Sequence, residues 1–458
     1  MVNDAVVQRW LERVVALRPG EGRALAWSFT YFFCLLAGYY VLRPLRDEMG
    51  IAGGVRNLQW LFTATFVAML AAVPVFGAMV ARLPRRRFVP LVYHFFVANI
   101  AIFWLLLTFD VGKVHVARVF FVWISVFNLF AVSVFWSFMA DLFASEQGKR
   151  LFGFIAAGGS AGALLGPALT VGLAVPLGPI NLLFVAALFL ELAVLCARRL
   201  ESVAASTGSA PVAPTPGPAA VVAPAQAAPS AQAEATVLGG GWLVGIAMVL
   251  RSPYLAGIAL WVFLLSLAGT FLYFQQANIV AAASDDPGVR TRIFAAIDFA
   301  IGILTIIVQF FATGRLIARF GVGRAAAVLP LVFGLGFVAL AFTPMLLVVI
   351  AFQAIQRTAN FAISNPAREV LFTVLEREEK YKAKNVIDIV VFRGADAASG
   401  WLFAVLRGAG LELSTISLAT VPLAGAWLVL ALALGRGQER RARWATDATI
   451  ATLPKLHP

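Results

Sequence analysis

The chain has 458 residues, 61% of them hydrophobic and 13% charged, more apolar surface than a soluble core of this length needs. It reads as a polytopic membrane protein. The net charge of +13 would suit a nucleic-acid partner, but Lys and Arg gather in alternate loops between apolar runs, the pattern of positive-inside retention, so no nucleic acid is expected.

Residues 1–23 carry Arg9, Arg13, Arg18 and Arg23 and hold no compact apolar core followed by a small-residue cleavage site. They read as a cytoplasmic segment, and the first span itself directs insertion. Twelve stretches then approach the ~20 residues a helix needs to cross a hydrocarbon core of ~30 Å. They fall at 24–42, 59–80, 88–109, 115–140, 151–175, 180–198, 254–280, 293–313, 325–343, 345–366, 385–406 and 416–435. Their apolar runs are long and continuous, without the alternation over about 10 residues that marks a membrane barrel strand. The expected fold class is therefore all-α.

Between the sixth and seventh stretches, residues 201–238 turn abruptly to Ala and Pro and read as a disordered, extended cytoplasmic linker. Two six-helix bundles, 24–200 and 239–435, are expected on either side, with a polar, basic cytoplasmic tail from 436 to 458. The fifth stretch is crowded with Gly153, Gly158, Gly159, Gly162 and Gly166, which favours close helix packing. Beside Lys149 and Arg150 this run lacks the preceding strand and terminal Gly-Lys-Ser/Thr of a phosphate loop. Cys34 and Cys196 both lie in spans, which argues against a disulfide framework or zinc site and for packing roles.

The halves also share a motif. Gly77-Ala-Met-Val-Ala-Arg82-Leu-Pro-Arg85-Arg86-Arg87 follows one span, and Gly314-Arg315-Leu-Ile-Ala-Arg319-Phe-Gly321-Val-Gly323-Arg324 follows another. Each is a glycine, an arginine five residues on and a tight basic turn. This resembles the loop signature of the major facilitator superfamily. Parallel repeats of that kind imply rocking about a site near the midplane.

An ionisable side chain at the centre of a span costs roughly 2.5–3.5 kcal/mol, so each one asks for a reason. In the first span Tyr39, Arg43 and Arg46 share a face beside Pro44, followed by Asp47 and Glu48. Two guanidiniums there suit a phosphate or carboxylate, and equally suit snorkelling at a helix end. The fourth contributes Asn128, Trp136 and Asp141, with Trp136 read as packing. In the tenth, Gln353, Arg357, Asn360, Ser364 and Arg368 recur at helical spacing along one face. In the eleventh, Lys384 and Asp388 stand four apart, and Arg393 and Asp396 three apart, which makes local ion pairing easy.

At these residues the chain is similar to the bacterial and plastid ATP:ADP antiporter family, the nucleotide translocases of the major facilitator superfamily. Tyr40-Val-Leu42-Arg43-Pro-Leu-Arg46-Asp47 resembles that family's Tyr-x-Leu-Arg-x-x-Lys-Asp. Arg368-Glu369, Leu375-Glu376 and Lys380-Tyr-Lys382-Ala-Lys384-Asn-Val-Ile387-Asp388 resemble its Lys-Glu, Leu-Asp and Lys-x-Lys-x-Lys-x-x-Ile-Asp. Phe135-Trp136-Ser-Phe138 and Lys149-Arg150-Leu-Phe152 resemble two further stretches. Arg46 stands for the family's first-helix lysine, Asn128 for a glutamate, and Ala395-Asp396 for a Gly-Lys.

The resemblance implies a bacterial inner-membrane secondary transporter with alternating access, both termini cytoplasmic and no cofactor. Its solute would be anionic and nucleotide-like, ATP or ADP being the family's own, with a monomer in lipid as the unit. Tyr39, Arg43, Arg46, Asn128, Arg357, Asn360 and Lys384 would bind it. Asp47, Glu369, Asp388, Arg393 and Asp396 would couple or gate, and obligatory exchange would follow if the empty carrier were held by unneutralised cations. Two other readings stay open: a proton-coupled facilitator using Asp388 or Asp396, and a non-transporting membrane scaffold. An enzyme is not expected, because His94, His115 and His457 are far apart and no nucleophile and base lie at useful spacing.

Overall fold

The computed structural model describes residues 21–82, 85–143, 145–206, 242–375, 379, 382–384 and 386–452. Residues 1–20, most of the expected linker and the last six residues of the expected tail lie outside these, as do Lys380 and Tyr381. Among the described residues the structure is helical. In the N-terminal part α1 spans Gly22–Ala52, α2 Leu58–Arg82, α3 Arg85–Thr108, α4 Lys113–Leu142, α5 Ser145–Leu173 and α6 Leu182–Ser206. In the C-terminal part α7 spans Trp242–Arg251, α8 Pro253–Ala283, α9 Pro287–Val308, α10 Gly314–Phe342, α11 Leu346–Ala359, α12 Asn365–Leu371, α13 Phe392–Gly408 and α14 Leu413–Thr452.

Among the described residues, eleven helical segments are long and apolar enough to cross a membrane. They coincide with every expected span but the sixth, where α6 is helical yet meets Glu191 and, 16 residues in, Arg198 and Arg199. α6 also continues through residue 206, so the first six residues of the expected linker are helix. The tail is helix as far as Thr452, and α7 is a short helix that the spacing of apolar residues did not announce.

The chain divides into two compact units: the described residues of Met1–Ala235 with Val280–Gly302, and those of Thr236–Ile279 with Ile303–Pro458. In the first, α5 packs on α1 backbone to backbone. A Cβ at Gly162 would lie 2.2 Å from the Phe33 carbonyl oxygen, and one at Gly166 2.7 Å from that of Ala37. Gly158, Gly159, Gly162 and Gly166 therefore serve helix contact, since a larger residue at these positions would force α1 and α5 apart. Tyr31, Phe32, Phe120, Phe127 and Phe135 fill the buried interior of this unit, where Cys34 and Cys196 also lie.

The second unit is less regular. Wider π turns interrupt its helices at Gln309–Thr313, Asn360–Ser364 and Val386–Val391. The Thr313 hydroxyl donates to the Ala362 carbonyl at 2.6 Å, tying the first two together. Within α10, Gly321 takes φ 78° and breaks the helix, placing the bend inside the second copy of the basic turn motif. A residue with a Cβ would be strained there.

Candidate functional site

The first unit gathers its charges at the C-terminal third of α1. Arg43 does not snorkel: it is buried, and its Nη1 donates to Asp298 Oδ1 of α9 at 2.9 Å, the side chains being 8% and 3% exposed. Arg46 Nη1 lies 3.6 Å from Asp47 Oδ1, and its guanidinium sits 4.2 Å from the centroid of Phe121. Its Nε is buried without a hydrogen-bond partner. One turn beyond Arg43, Glu48 receives both Nε and Nη2 of Arg290 at 2.7 and 2.8 Å, a forked pair. Tyr39 is buried against Tyr40 and Phe127, and Asn128 follows on α4, partly buried. Trp136 meets Phe32, Phe135 and Phe152, as its packing reading expects.

Helix register explains why these groups meet. Arg43 and Glu48 are 9 and 4 residues from the end of α1, while Asp298 and Arg290 are 11 and 3 residues from the start of α9. At a rise of ~1.5 Å per residue the inner pair lies ~14–16 Å from these helix ends and the outer pair ~5–6 Å. Two antiparallel helices thus match their charges level by level.

In the second unit the eleventh-span pairings change partners. Lys384 Nζ donates to Glu369 Oε2 at 2.6 Å, and Arg368 Nη1 lies 3.3 Å from Asp388 Oδ1. Spacing alone makes a Lys384–Asp388 pair easy, but Glu369 and Arg368 on the preceding span supply the direct partners, and Asp388 sits in the π turn Val386–Val391. The Arg393–Asp396 pairing does form, at 3.4 Å, and Asp396 Oδ1 also accepts from the hydroxyls of Ser266 and Thr270 on α8.

The polar row of the tenth span is broken by the Asn360–Ser364 turn. On its near side Gln353 is buried, donating to Gln276 Oε1 and accepting from Gln356 at 2.8 Å. Arg357 lies over Phe361, 5.9 Å from its centroid. Within the turn, Asn360 Oδ1 and Ser364 Oγ are buried without a hydrogen-bond partner, and Arg368 lies beyond it.

Arg43, Arg46 and Asp47 therefore come together in one unit, and Glu369, Lys384 and Asp388 in the other, next to the Arg393–Asp396 pair on the same span. Sequence reasoning missed Asp298, Arg290 and Glu48 as parts of this arrangement. Asp298 had a usable signal: it is a lone carboxylate inside the eighth expected span.

Comparison with known proteins meets this arrangement at the second unit. Residues 241–436 match the TLC ATP/ADP transporter family. That stretch carries Glu369, Lys384, Asp388 and Asp396. ADP,ATP carrier protein 1 of Chlamydia trachomatis is 26% identical over 212 residues, 41% of this chain and 40% of the carrier. Its counterpart in Chlamydia muridarum is 27% identical over 165 residues, 32% of this chain and 31% of that one. The matched region thus spans well under half the length of these carriers.

Among solved structures, a mutant form of the nucleoside transporter NupG superposes with a TM-score of 0.60 at 13% identity, over 90% of this chain and 99% of that one. An auto-inhibited POT family peptide transporter gives 0.59 at 14%, over 95% and 99%. At such identities the likeness is one of fold, and the fold is that of major facilitator-like transporters.

Proposed function

We propose that this protein is a secondary transporter that carries an anionic, nucleotide-like solute across the bacterial inner membrane by alternating access. The observation that carries this reading is the buried guanidinium of Arg43, held in the C-terminal third of the apolar helix α1 three residues before Arg46. A buried arginine in a span, with a second, partly buried one three residues on, is costly unless they serve a solute or a structural pair, and Arg46 keeps an unsatisfied donor. The family match adds the substrate class, since ATP and ADP are what the matched family is named for.

In this reading Arg43, Arg46 and Tyr39, with Asn128, are the solute-binding residues of the first unit, and Arg357, Asn360 and Lys384 those of the second. Guanidiniums suit phosphate oxygens because the planar fork offers two parallel N–H donors. Asp47, Glu369, Asp388, Arg393 and Asp396 exchange partners as the site opens and closes, which keeps their charges compensated in each state. The protein acts as a monomer in lipid with both termini cytoplasmic. It is not an enzyme, and the family likeness is to carriers.

A second reading has one observation in its favour. Asp396 stands where the antiporter family has a lysine, which puts a carboxylate, a group able to carry a proton, beside Arg393, Ser266 and Thr270. A proton-coupled facilitator for a smaller organic solute would use it so. Uptake of radiolabelled ATP and ADP into proteoliposomes separates the two, with vesicles empty, preloaded with ADP or carrying a pH gradient. Nucleotide uptake supports the first reading. A pH-driven uptake of other solutes, with none of nucleotide, supports the second.

A further inference from the structure

We propose that Asp298 is the internal counter-ion of the transport site: it holds Arg43 when no solute is bound, and an anionic solute competes with it for the same guanidinium. This rests on the transport reading above and adds a residue and a consequence that the family likeness does not supply.

The geometry comes first. Asp298 lies 11 residues into α9, ~16 Å from its start and so about halfway through a core of ~30 Å. The cations of its own helix, Arg290 and Arg292, sit near the start. Compensation comes from α1: Arg43 contacts it directly, and Tyr39, Tyr40, Arg46 and Asp47 are among the ionisable groups that act on it or that it acts on. Arg43 and Arg46 against Asp47 and Asp298 sum to zero. Within this cluster of the first unit the two guanidiniums are balanced by the two carboxylates.

Neutrality has a mechanical consequence. A carrier whose empty site exposes uncompensated arginines resists reorientation, because moving a bare buried charge through an apolar interior is costly. That is the physical basis of obligatory exchange. With Asp298 in place the cost is absent, so the empty protein returns without a second solute. The chain is built for net uptake as well as exchange.

Competition follows from the same contact. A phosphate or carboxylate that takes Arg43 must displace Asp298, and the displaced carboxylate opposes binding. The neighbouring Glu48–Arg290 pair does not share this role, since it is a forked, two-point contact near the helix ends, about 10 Å along α1 and α9 from Arg43 and Asp298.

Radiolabelled ATP uptake into solute-free and ADP-loaded proteoliposomes tests this with wild-type protein and D298N. Wild type should accumulate ATP in both kinds of vesicle. In D298N the ratio of net uptake to exchange should fall roughly ten-fold or more, and the apparent KM for ATP should fall by a similar factor, the scale of one hydrogen bond to a charged group. D298E, which keeps the charge, should recover the wild-type ratio.

Exchange without net uptake in the wild type would overturn this inference and leave the transport reading standing. A D298N ratio and KM equal to those of wild type would also overturn it. Uptake in neither kind of vesicle, from a folded wild-type preparation, would overturn the transport reading and this inference with it. The wild-type arm needs no variant to fold.

Discussion

The two units hold their charged pairs in different ways. In the first, Arg43 and Glu48 meet partners 255 and 242 positions away along the chain, both on α9. In the second, Lys384 and Arg393 meet partners 15 and 3 positions away, beside π turns. A long-range buried pair fixes which helices pack together, whereas a short-range one forms whether or not the rest of the unit is assembled. The first unit's pairs should therefore dominate stability, and the second unit's pairs should be the ones that rearrange cheaply.

The largest expected effect is at Arg290. R290A leaves Glu48, whose side chain is 1% exposed, without its forked partner, and should cost ~3–5 kcal/mol in detergent unfolding, with much of it recovered in E48Q/R290Q. A loss under ~1 kcal/mol would erase the contrast between the units. Next comes the contact that seats α1 on α5. G162V would place a side chain into the backbone of Phe33 and should destabilise by ~1–3 kcal/mol or more, while G153A, with no atom within 4 Å of its Cβ, should be neutral or slightly stabilising. The smallest effect belongs to the second unit. E369Q removes the partner of Lys384 in a pair whose side chains are 48% and 23% exposed, and unfolding should shift by no more than ~1 kcal/mol. A shift comparable to that of R290A would show that the second unit is as rigidly paired as the first.

How much of this was legible depended on distance along the chain. Continuous apolar runs located the spans, because crossing a bilayer leaves a length and a composition that no packing detail alters. The glycine run of the fifth span announced close packing, and the structure supplies the partner, α1. The basic turn motif foretold the bend that Gly321 makes. Arg43 and Arg46 were readable as costly cations, but Asp298 and Arg290 were not readable as their neighbours' answers, since α1 and α9 meet only after folding. Spacing made a Lys384–Asp388 pair easy but could not show that Glu369 and Arg368 of the preceding span would be the direct partners, nor that Val386–Val391 forms a wider turn. The same blindness broke the polar row at Asn360.

The most direct test of the central claim is ATP uptake by proteoliposomes carrying wild type and R43Q/D298N. This neutral pair leaves neither side chain as a buried unpaired charge, so it separates solute binding from folding. The account predicts that the double variant purifies and unfolds like wild type yet takes up no ATP in either empty or ADP-loaded vesicles. ATP uptake by R43Q/D298N at the wild-type rate would contradict it, because the anion would then be held elsewhere than at Arg43.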